Sequence, residues 1–329
     1  MRKCALILPY FGTFKDSFQL FLASCKRNLS IDWFVITDSS QKFDYPENVH
    51  LIKMSFESLR EKFQNKFDWP IVLDRPYKLC DYKPAYGYLF ADMIRDFEYW
   101  GYCDCDVIWG DLNSLLLPLL DQGYDKLFAA GHFTIYRNTD KNNSIFLQSD
   151  PQVGSLAYQA FGSSKLFAFD EMSFIKNIHT LFLNSNANIY EHDLSYNIAT
   201  KFFYFHRCFF ETSKHEWRTK SKLSSDLILL EDGHLYQYDP SGTQIEYLYV
   251  HFQNRKLNWK SKRHSVDRVL ITPFGFYSLL PQESVTKVYR SMKCHIGVKH
   301  RIQYSIVYLH HKVWAFRDRN LSHRSPYKR

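Results

Sequence analysis

Two carboxylates separated by a single residue follow an apolar, aromatic stretch of this 329-residue chain. Asp104 and Asp106 lie within YWGYCDCDVIWGDL, residues 99–112. On an extended backbone, side chains two residues apart face the same way, so both carboxylates can bind one divalent cation. Mg²⁺ and Mn²⁺ take hard oxygen ligands and complete their shell with water and phosphate oxygens. The pair therefore predicts a site for a metal and a diphosphate, with an ordinary polar turn as the structural alternative.

A second carboxylate pair follows the stretch FAF and precedes residues that read as a helix. Asp170 and Glu171 are candidates for a general base, which takes the proton of an attacking hydroxyl. Asp also caps helices, and Glu favours the first helical turn. The two interpretations are compatible, because one residue can cap while the other acts.

A histidine ends a third stretch, IEYLYVHF, and is followed by two basic residues. An isolated histidine at the end of a strand, such as His251, is commonly a hydrogen-bonded structural residue. Arg255 and Lys256 follow it shortly afterwards in the sequence.

The elements that must position these residues follow a strand–helix–strand order, which predicts parallel pairing and a Rossmann-like α/β sheet. Ligands of such sheets bind at the carboxyl ends of the strands. Pro84 suits the first turn of a helix. The predicted strands are 3–9, 33–37, 99–103, 126–130 and 132–137, with β-like residues 201–250 and turns at 232–233 and 241–242. The predicted helices are 16–27, 55–67, one within 79–97, and one from 170.

Composition indicates a folded protein, because hydrophobic residues make up 45% and aromatic residues 18% of the chain. The seven cysteines form no C-x-x-C pair, which favours reduced thiols over a disulfide framework or a zinc ribbon. No uncharged apolar run is long enough for a transmembrane helix. We expect one domain over residues 1–260.

A basic, partly amphipathic C-terminal extension is expected over residues 261–329. From Lys287 onward, Asp318 is the only acidic residue among many basic ones. Such a segment can lie on an anionic membrane surface or bind nucleic acid, and a solvated terminal helix is the structural alternative.

Two segments, KLCDYKPAYGYLFADMIRDFEYWGYCDCDVIWGDL (78–112) and YLYVHFQNRK (247–256), carry a resemblance to a known family. Over about residues 1–260 the chain resembles GT-A glycosyltransferases of bacterial capsule and lipopolysaccharide biosynthesis. The second segment is similar to retaining lipooligosaccharide galactosyltransferases. It departs from their pattern because Gln253-Asn254 stand where that family has a Gly and a Pro.

The resemblance implies a GT-A fold and a role for each matching residue. Asp104 would contact ribose and metal, and Asp106 and His251 would bind the metal, Mn²⁺ or Mg²⁺. The nucleotide contacts would be Tyr10 on uracil, Asp38 on its ring N–H, Asp81 and Lys83 on nucleoside and phosphates, and Lys256 or Arg255 on the diphosphate. Asp170 and Glu171 would be catalytic in an inverting reaction, or would bind a sugar in a retaining one. Apart from the matching motifs, Gly131 and His132 in the stretch AAGHFTIYRN are candidates for an acceptor pocket. Trp109 and Trp259 are candidates for stacking on sugars, with buried packing as the structural alternative.

We therefore expect a metal-dependent hexosyltransferase that uses a UDP-sugar and a surface polysaccharide or lipid-linked glycan acceptor. The expected location is cytoplasmic and peripheral at the inner face of the cell membrane, with no nucleic acid bound. One alternative is a haloacid-dehalogenase-like phosphotransferase with Asp104 as nucleophile; Val107 fits its motif, but the late position does not. The other is a non-catalytic protein that binds membranes or nucleic acid.

Overall fold

The computed structural model describes residues 2–171, 176–200, 202–214, 216–219, 226–238, 244–253, 255–261 and 265–295, together with 302, 305, 306 and 309. Its strands are β1 (Arg2–Pro9), β2 (Ile31–Thr37), β3 (Val49–Lys53), β4 (Phe97–Cys103), β5 (Val107–Trp109), β6 (Lys126–Ala130), β7 (Phe133–Arg137), β8 (Ser149–Asp150), β9 (Gly154–Ser155), β10 (Ile189–Tyr190), β11 (Ser195–Ile198), β12 (Arg207–Glu211), β13 (Glu216–Thr219), β14 (Leu227–Glu231), β15 (His234–Tyr238), β16 (Gln244–Glu246), β17 (Tyr249–His251), β18 (Arg268–Thr272) and β19 (Gly275–Ser278).

The helices are mostly short. They are α1 (Phe18–Lys26), α2 (Phe56–Gln64), α3 (Leu79–Tyr82), α4 (Tyr86–Leu89), α5 (Ala91–Ile94), α6 (Leu112–Leu115), α7 (Leu117–Leu120), α8 (Asp140–Ser144), α9 (Leu156–Phe161), α10 (Ile178–Asn184) and α11 (Val285–His295). Single 3-10 turns occur at Pro76–Lys78, Lys83–Ala85, Ile145–Leu147 and Thr212–Lys214.

The largest sheet has the strand order β10-β6-β7-β4-β1-β2-β3. Strand β1 pairs in parallel with β2 and β4, and β2 pairs in parallel with β3, whereas β7 is antiparallel to β4 and β6. The predicted α/β class is therefore confirmed: a Rossmann-like mixed sheet flanked by helices. Strands β1, β2 and β4 end at the same edge of this sheet, which is the edge predicted to bind ligands.

Both faces of this sheet are covered. In β1, Leu6 and Leu8 pack into one core cluster with Phe18 and Phe21 of α1. Ile7 lies in a second cluster on the opposite face, which includes residues of α2, α3, α4 and α5. Strands buried on both faces are apolar at nearly every position, and this explains the continuous run CALIL in β1.

Two smaller sheets pack beside the first. Their orders are β13-β12-β11-β17-β5 and β16-β15-β14-β18-β19. Strand β5 belongs to the second sheet although it follows β4 of the first after only three residues, 104–106. The D-x-D segment is therefore the crossing between two sheets. Strands β18 and β19 join the third sheet, so residues on both sides of position 260 take part in it.

Several predicted elements differ from those observed. The helix expected within 79–97 is a series of short helical segments, with Pro84 in a 3-10 turn ahead of α4. Strand β3 was not predicted. The helix expected to begin at Asp170 is wrong, because α10 begins at Ile178 and Asn177 is its N-cap. The predicted turn at 232–233 is confirmed, since it joins β14 to β15, while 241–242 lie outside the described residues.

The C-terminal segment is described in part. In α11, Val285 packs in a small core cluster with Leu227, Leu229 and Leu270, so the helix begins against the third sheet. Within the described part of the chain, no helix combines the length and apolar character needed to cross a bilayer. Most of the predicted basic extension beyond residue 295 lies outside the described residues.

Candidate metal centre and active site

Strand pairing on both sides of the D-x-D segment brings three side chains together. On one side, the Asp104 amide donates to the carbonyl of His132, at a distance of 3.0 Å, as an extension of the β4–β7 pairing. On the other, β17 pairs with β5 so that His251 lies opposite Val107, and the Phe252 amide donates to the carbonyl of Asp106. His251 is therefore brought to the D-x-D segment from about 150 residues away in the sequence by backbone pairing alone.

The three predicted metal ligands form one cluster. One ligand atom each from Asp104, Asp106 and His251 lies within 4.8 Å of the other two. The Nε2 atom of His251 is 3.3 Å from an Asp106 oxygen and 3.8 Å from an Asp104 oxygen. The side chain of Asp104 is 35% exposed, against 12% for Asp106 and 8% for His251, so the cluster opens to solvent on the Asp104 side.

The imidazole of His251 is oriented by a buried amide. Its Nδ1 atom is 3.0 Å from the Oδ1 of Asn197 on the neighbouring strand β11, and that oxygen also accepts from Gln253. Because the amide oxygen can only accept, Nδ1 donates to it, and Nε2 is the ring nitrogen that faces the two carboxylates. Orienting a histidine through its other ring nitrogen in this way is common in metal sites.

A buried lysine connects the cluster to a third carboxylate. The Lys83 ammonium lies 2.8 Å from Asp104, 3.2 Å from Asp170 and 2.7 Å from the carbonyl of Gly131. Burial alone would lower its pKa, but the two carboxylates outweigh burial and hold the pKa well above the ordinary value of lysine. Lys83 therefore stays charged and spans the space between the D-x-D segment and Asp170.

Asp170 is buried beside this lysine. Burial raises the pKa of its carboxyl to about 7; Lys83 opposes this rise, and Glu171 adds to it. The neighbouring Glu171 is exposed. Gly131 packs against both residues, because a Cβ at this position would lie 2.9 Å from the Glu171 Cβ and 3.0 Å from an Asp170 oxygen. A carboxyl with a pKa near neutrality in this position has the properties of a general base or acid.

Asp81 lies in a different environment from the cluster. Its carboxylate is fully buried, pairs with the Lys78 ammonium at 2.7 Å, and accepts from the backbone amides of Phe167 and Phe169. These amides flank Ala168, whose φ of 53° is in the left-handed region. Asp81 thus fixes the turn that leads into Asp170, and its predicted nucleotide contact stays a prediction.

The remaining predicted residues lie around the same edge or away from it. Tyr10 follows β1, and burial, with added repulsion from Cys105 and Asp106, raises its pKa to about 12. Asp38 is exposed after β2, and Lys256 is exposed after β17. Arg255, the alternative to Lys256, donates to the carbonyls of Ala199 and Phe203.

The two tryptophans named from the sequence are not at the cluster. Trp109 is fully buried and packs against Trp33, Phe133 and Tyr249, so its predicted contact with a sugar is wrong. Trp259 packs against Phe276 of the third sheet.

Three residues near the cluster were missed. The Lys15 ammonium, in the loop before α1, lies 3.2 Å from Asp106. Asn197 orients His251, as described above. Trp217 of β13 has its ring centroid 6.2 Å from that of His132. A basic residue in the loop after the first strand was the one sequence signal available, since Asn197 and Trp217 reach the site only through pairing in the second sheet.

Comparison with known proteins gave one family match and several structural likenesses. The model of a family described as "Family of unknown function (DUF6625)" matches residues 6–280. No protein of curated function matches the sequence.

Three solved structures are partly similar to this chain. A complex of the galactosyltransferase LgtC with donor and acceptor sugar analogues is 12% identical, covers 59% of this chain and 75% of its own, and has a TM-score of 0.32. An active-site mutant of LgtC is 10% identical, with coverages of 76% and 88% and a TM-score of 0.35. Residues 1–349 of S. aureus TarS are 10% identical, with coverages of 48% and 53% and a TM-score of 0.25. Likenesses of this size do not by themselves define an activity.

Proposed function

This chain belongs to the DUF6625 family of unknown function, and we propose that it is a metal-dependent GT-A glycosyltransferase that moves a hexose from a UDP-sugar to a surface polysaccharide or lipid-linked oligosaccharide. The observation that carries the proposal is the cluster of Asp104, Asp106 and His251 at the carboxyl end of β4. Two carboxylates and an imidazole at this edge of a Rossmann-like sheet suit a divalent cation that also binds a diphosphate.

The donor set fits Mn²⁺ better than Mg²⁺, because Mn²⁺ accepts a mixture of oxygen and imidazole ligands. Asn197 already orients His251 with Nε2 toward the carboxylates, and Lys15 and Lys83 lie beside the two carboxylates. The cation, when bound, would neutralise the charge of the departing diphosphate.

The residues of this chain would have separate roles in the transfer reaction. Lys83 holds Asp104 and Asp170 at fixed positions on either side of its ammonium. Asp170, deprotonated, would accept the proton of the acceptor hydroxyl, and the exposed Glu171 would bind the incoming sugar. If the reaction retains configuration, the pair would hold a sugar hydroxyl instead.

The donor nucleotide is proposed to lie on the β1–β2 side of the D-x-D segment. Tyr10 would stack on uracil, Asp38 would accept from its ring N–H, and Asp104 would contact ribose. Lys256, exposed after the strand of His251, would contact the diphosphate. Asp81 would support the nucleotide site indirectly, by fixing the turn before Asp170. A direct contact with the nucleotide would require Asp81 to leave its buried pair with Lys78.

Binding measurements test this proposal directly. Isothermal titration should show UDP binding that requires Mn²⁺ and is abolished by EDTA, whereas GDP and CMP should bind more weakly. Asp106→Asn should lose the Mn²⁺-dependent part. The matched control is Asp92→Asn, which removes the same charge from an exposed residue paired with Arg95. UDP binding that is indifferent to metal and to Asp106 would contradict the proposal.

We further propose that the C-terminal segment binds the enzyme to the anionic inner face of the cell membrane. Ile302, Ile306 and Leu309 are all exposed, and their spacing of four and three residues places them on one helical face. Basic residues surround them in the sequence: Lys299, Arg301, Lys312, Arg317, Arg319, Arg324, Lys328 and Arg329. An apolar stripe with flanking cations is the composition of helices that lie on anionic bilayers.

Truncation after residue 295 is expected to abolish sedimentation with anionic vesicles while leaving soluble turnover of the UDP-sugar intact. Cutting there keeps Val285, which packs against the third sheet, so the core stays covered. Co-sedimentation with phosphatidylserine-containing and neutral vesicles measures the loss. Changing Ile302, Ile306 and Leu309 together to Ser separates the apolar contribution from charge. Vesicle binding that survives both changes would refute a C-terminal membrane contact.

A further inference from the structure

The face of the second sheet that carries His251 continues away from the metal cluster. Along one row across the strands, His251 is paired with Asn197, Asn197 with Cys208, and Cys208 with Thr219. Neighbouring strands are about 4.8 Å apart, so three steps carry this face about 14 Å from the metal ligand. This row is uncharged beyond His251, which suits a neutral polar ligand better than a phosphate.

Trp217 lies on this face, because it is two residues from Thr219 and side chains alternate along a strand. It is half-buried and pairs across the strands with Phe210, with ring centroids 5.7 Å apart. Its ring is 6.2 Å from that of His132, which in turn stacks on His251 at 4.1 Å. An aromatic surface therefore runs from the metal ligand to Trp217.

His132 supplies an independent sign of a ligand at this place. The residue is 6% exposed, and its Nε2 atom has no hydrogen-bond partner within the described ranges of the chain. Buried polar atoms are nearly always paired, and leaving one unpaired costs about 1–3 kcal/mol. A hydroxyl from a bound molecule would satisfy this nitrogen after a small shift of the side chains that cover it.

The position of this surface separates it from the nucleotide. In the main sheet, β4 lies between β1, which leads to Tyr10, and β7, which His132 directly precedes. The D-x-D segment at the end of β4 therefore has the proposed nucleotide on one side and His132, Asp170 and Trp217 on the other. A donor sugar held at the cluster would face the second side.

We propose that Trp217 is the platform of the acceptor subsite, on which the terminal hexopyranose of the acceptor glycan stacks while one of its hydroxyls hydrogen-bonds to the Nε2 of His132. The identification of the bound sugar as the acceptor rests on the proposed function. Indole offers a large, rigid apolar surface, and the C–H face of a hexopyranose is its natural counterpart. The ligand class is a neutral sugar ring rather than a second nucleotide.

The test follows the indole N–H resonances of the seven tryptophans in the full-length protein. The Trp217 resonance is assigned by its absence in Trp217→Phe, and the Trp259 resonance by Trp259→Phe. Methyl β-D-galactopyranoside, methyl α-D-glucopyranoside and lactose are the probes, with glycerol as a control. A saturable shift of the Trp217 resonance is expected, with none at Trp259. In Trp217→Ala, glycoside binding should weaken about tenfold, equivalent to about 1.4 kcal/mol.

Mn²⁺-dependent UDP binding, measured on the same samples, separates this inference from the proposed function. Loss of glycoside binding in Trp217→Ala with UDP binding unchanged supports the subsite. Shifts at Trp259 instead, or no shift at Trp217 with UDP binding intact, overturn the subsite and leave the proposed function standing. Glycoside shifts at Trp217 without any UDP binding support a sugar surface and refute the transferase. Absence of both refutes both.

Discussion

Asp106→Asn is expected to lower Mn²⁺-dependent turnover of the UDP-sugar by about a hundredfold or more, because a metal that stabilises a leaving diphosphate contributes several kcal/mol to the barrier. Asparagine keeps the size of the side chain and removes the charge that faces His251 at 3.3 Å and Lys15 at 3.2 Å. Initial rates of UDP release, measured across a Mn²⁺ titration, check the effect. The loss should appear mainly as a weaker dependence on metal.

The control for this variant is again Asp92→Asn, whose turnover should equal that of the unchanged enzyme. Thermal unfolding should show that Asp106→Asn is folded, since removing one of several crowded charges does not disturb the core. Full turnover in Asp106→Asn would refute the metal-dependent mechanism. A phosphorylated Asp104, trapped after incubation with a phosphate ester, would establish the phosphotransferase alternative in its place.

The edge of the sheet where the site lies was predictable because local signals agreed there. Strand β1 reads as a buried strand from its apolar run, and the strand–helix–strand order fixes parallel pairing with β2. The D-x-D segment follows β4 as expected. The helical region before it was less predictable, because it is divided into short segments, with Pro84 in a 3-10 turn between α3 and α4.

Which residues form the site depends more on pairing between strands that are far apart in the sequence, and this was harder to predict. His251 was predicted as a ligand, and its position comes from the β5–β17 register, which no local pattern determines. Asn197 orients that histidine from a neighbouring strand, and Lys15 reaches Asp106 from a loop. Asp81 shows the opposite case. Its place near Lys83 in the sequence suggested a shared ligand, yet helical residues two positions apart face different directions, and Asp81 faces the core.

The pH dependence of turnover is expected to follow the ionisation of the Asp170 carboxyl. If Asp170 is the base, only its deprotonated form is active, so kcat/KM should rise with pH through a pKa of about 7. Lys83 opposes the rise of this pKa, so Lys83→Met should move the rising limb to higher pH as well as slow the reaction. Asp170→Asn should remove the limb and most of the activity, a loss typical of general-base removal at about 10²–10⁴-fold. A pH–rate profile for each variant measures these changes.

Stability against pH separates this role from a structural one. A carboxyl whose folded-state pKa lies above its unfolded value of 3.8 stabilises the fold below that value, and the contribution is lost as pH rises through about 7. Asparagine does not ionise, so Asp170→Asn should gain thermal stability relative to the unchanged protein between pH 5 and pH 8. A rising limb that persists in Asp170→Asn would assign the titration to another group. A stability difference independent of pH would show that the pKa of Asp170 is not raised on folding, so that a limb near pH 7 could not be its titration.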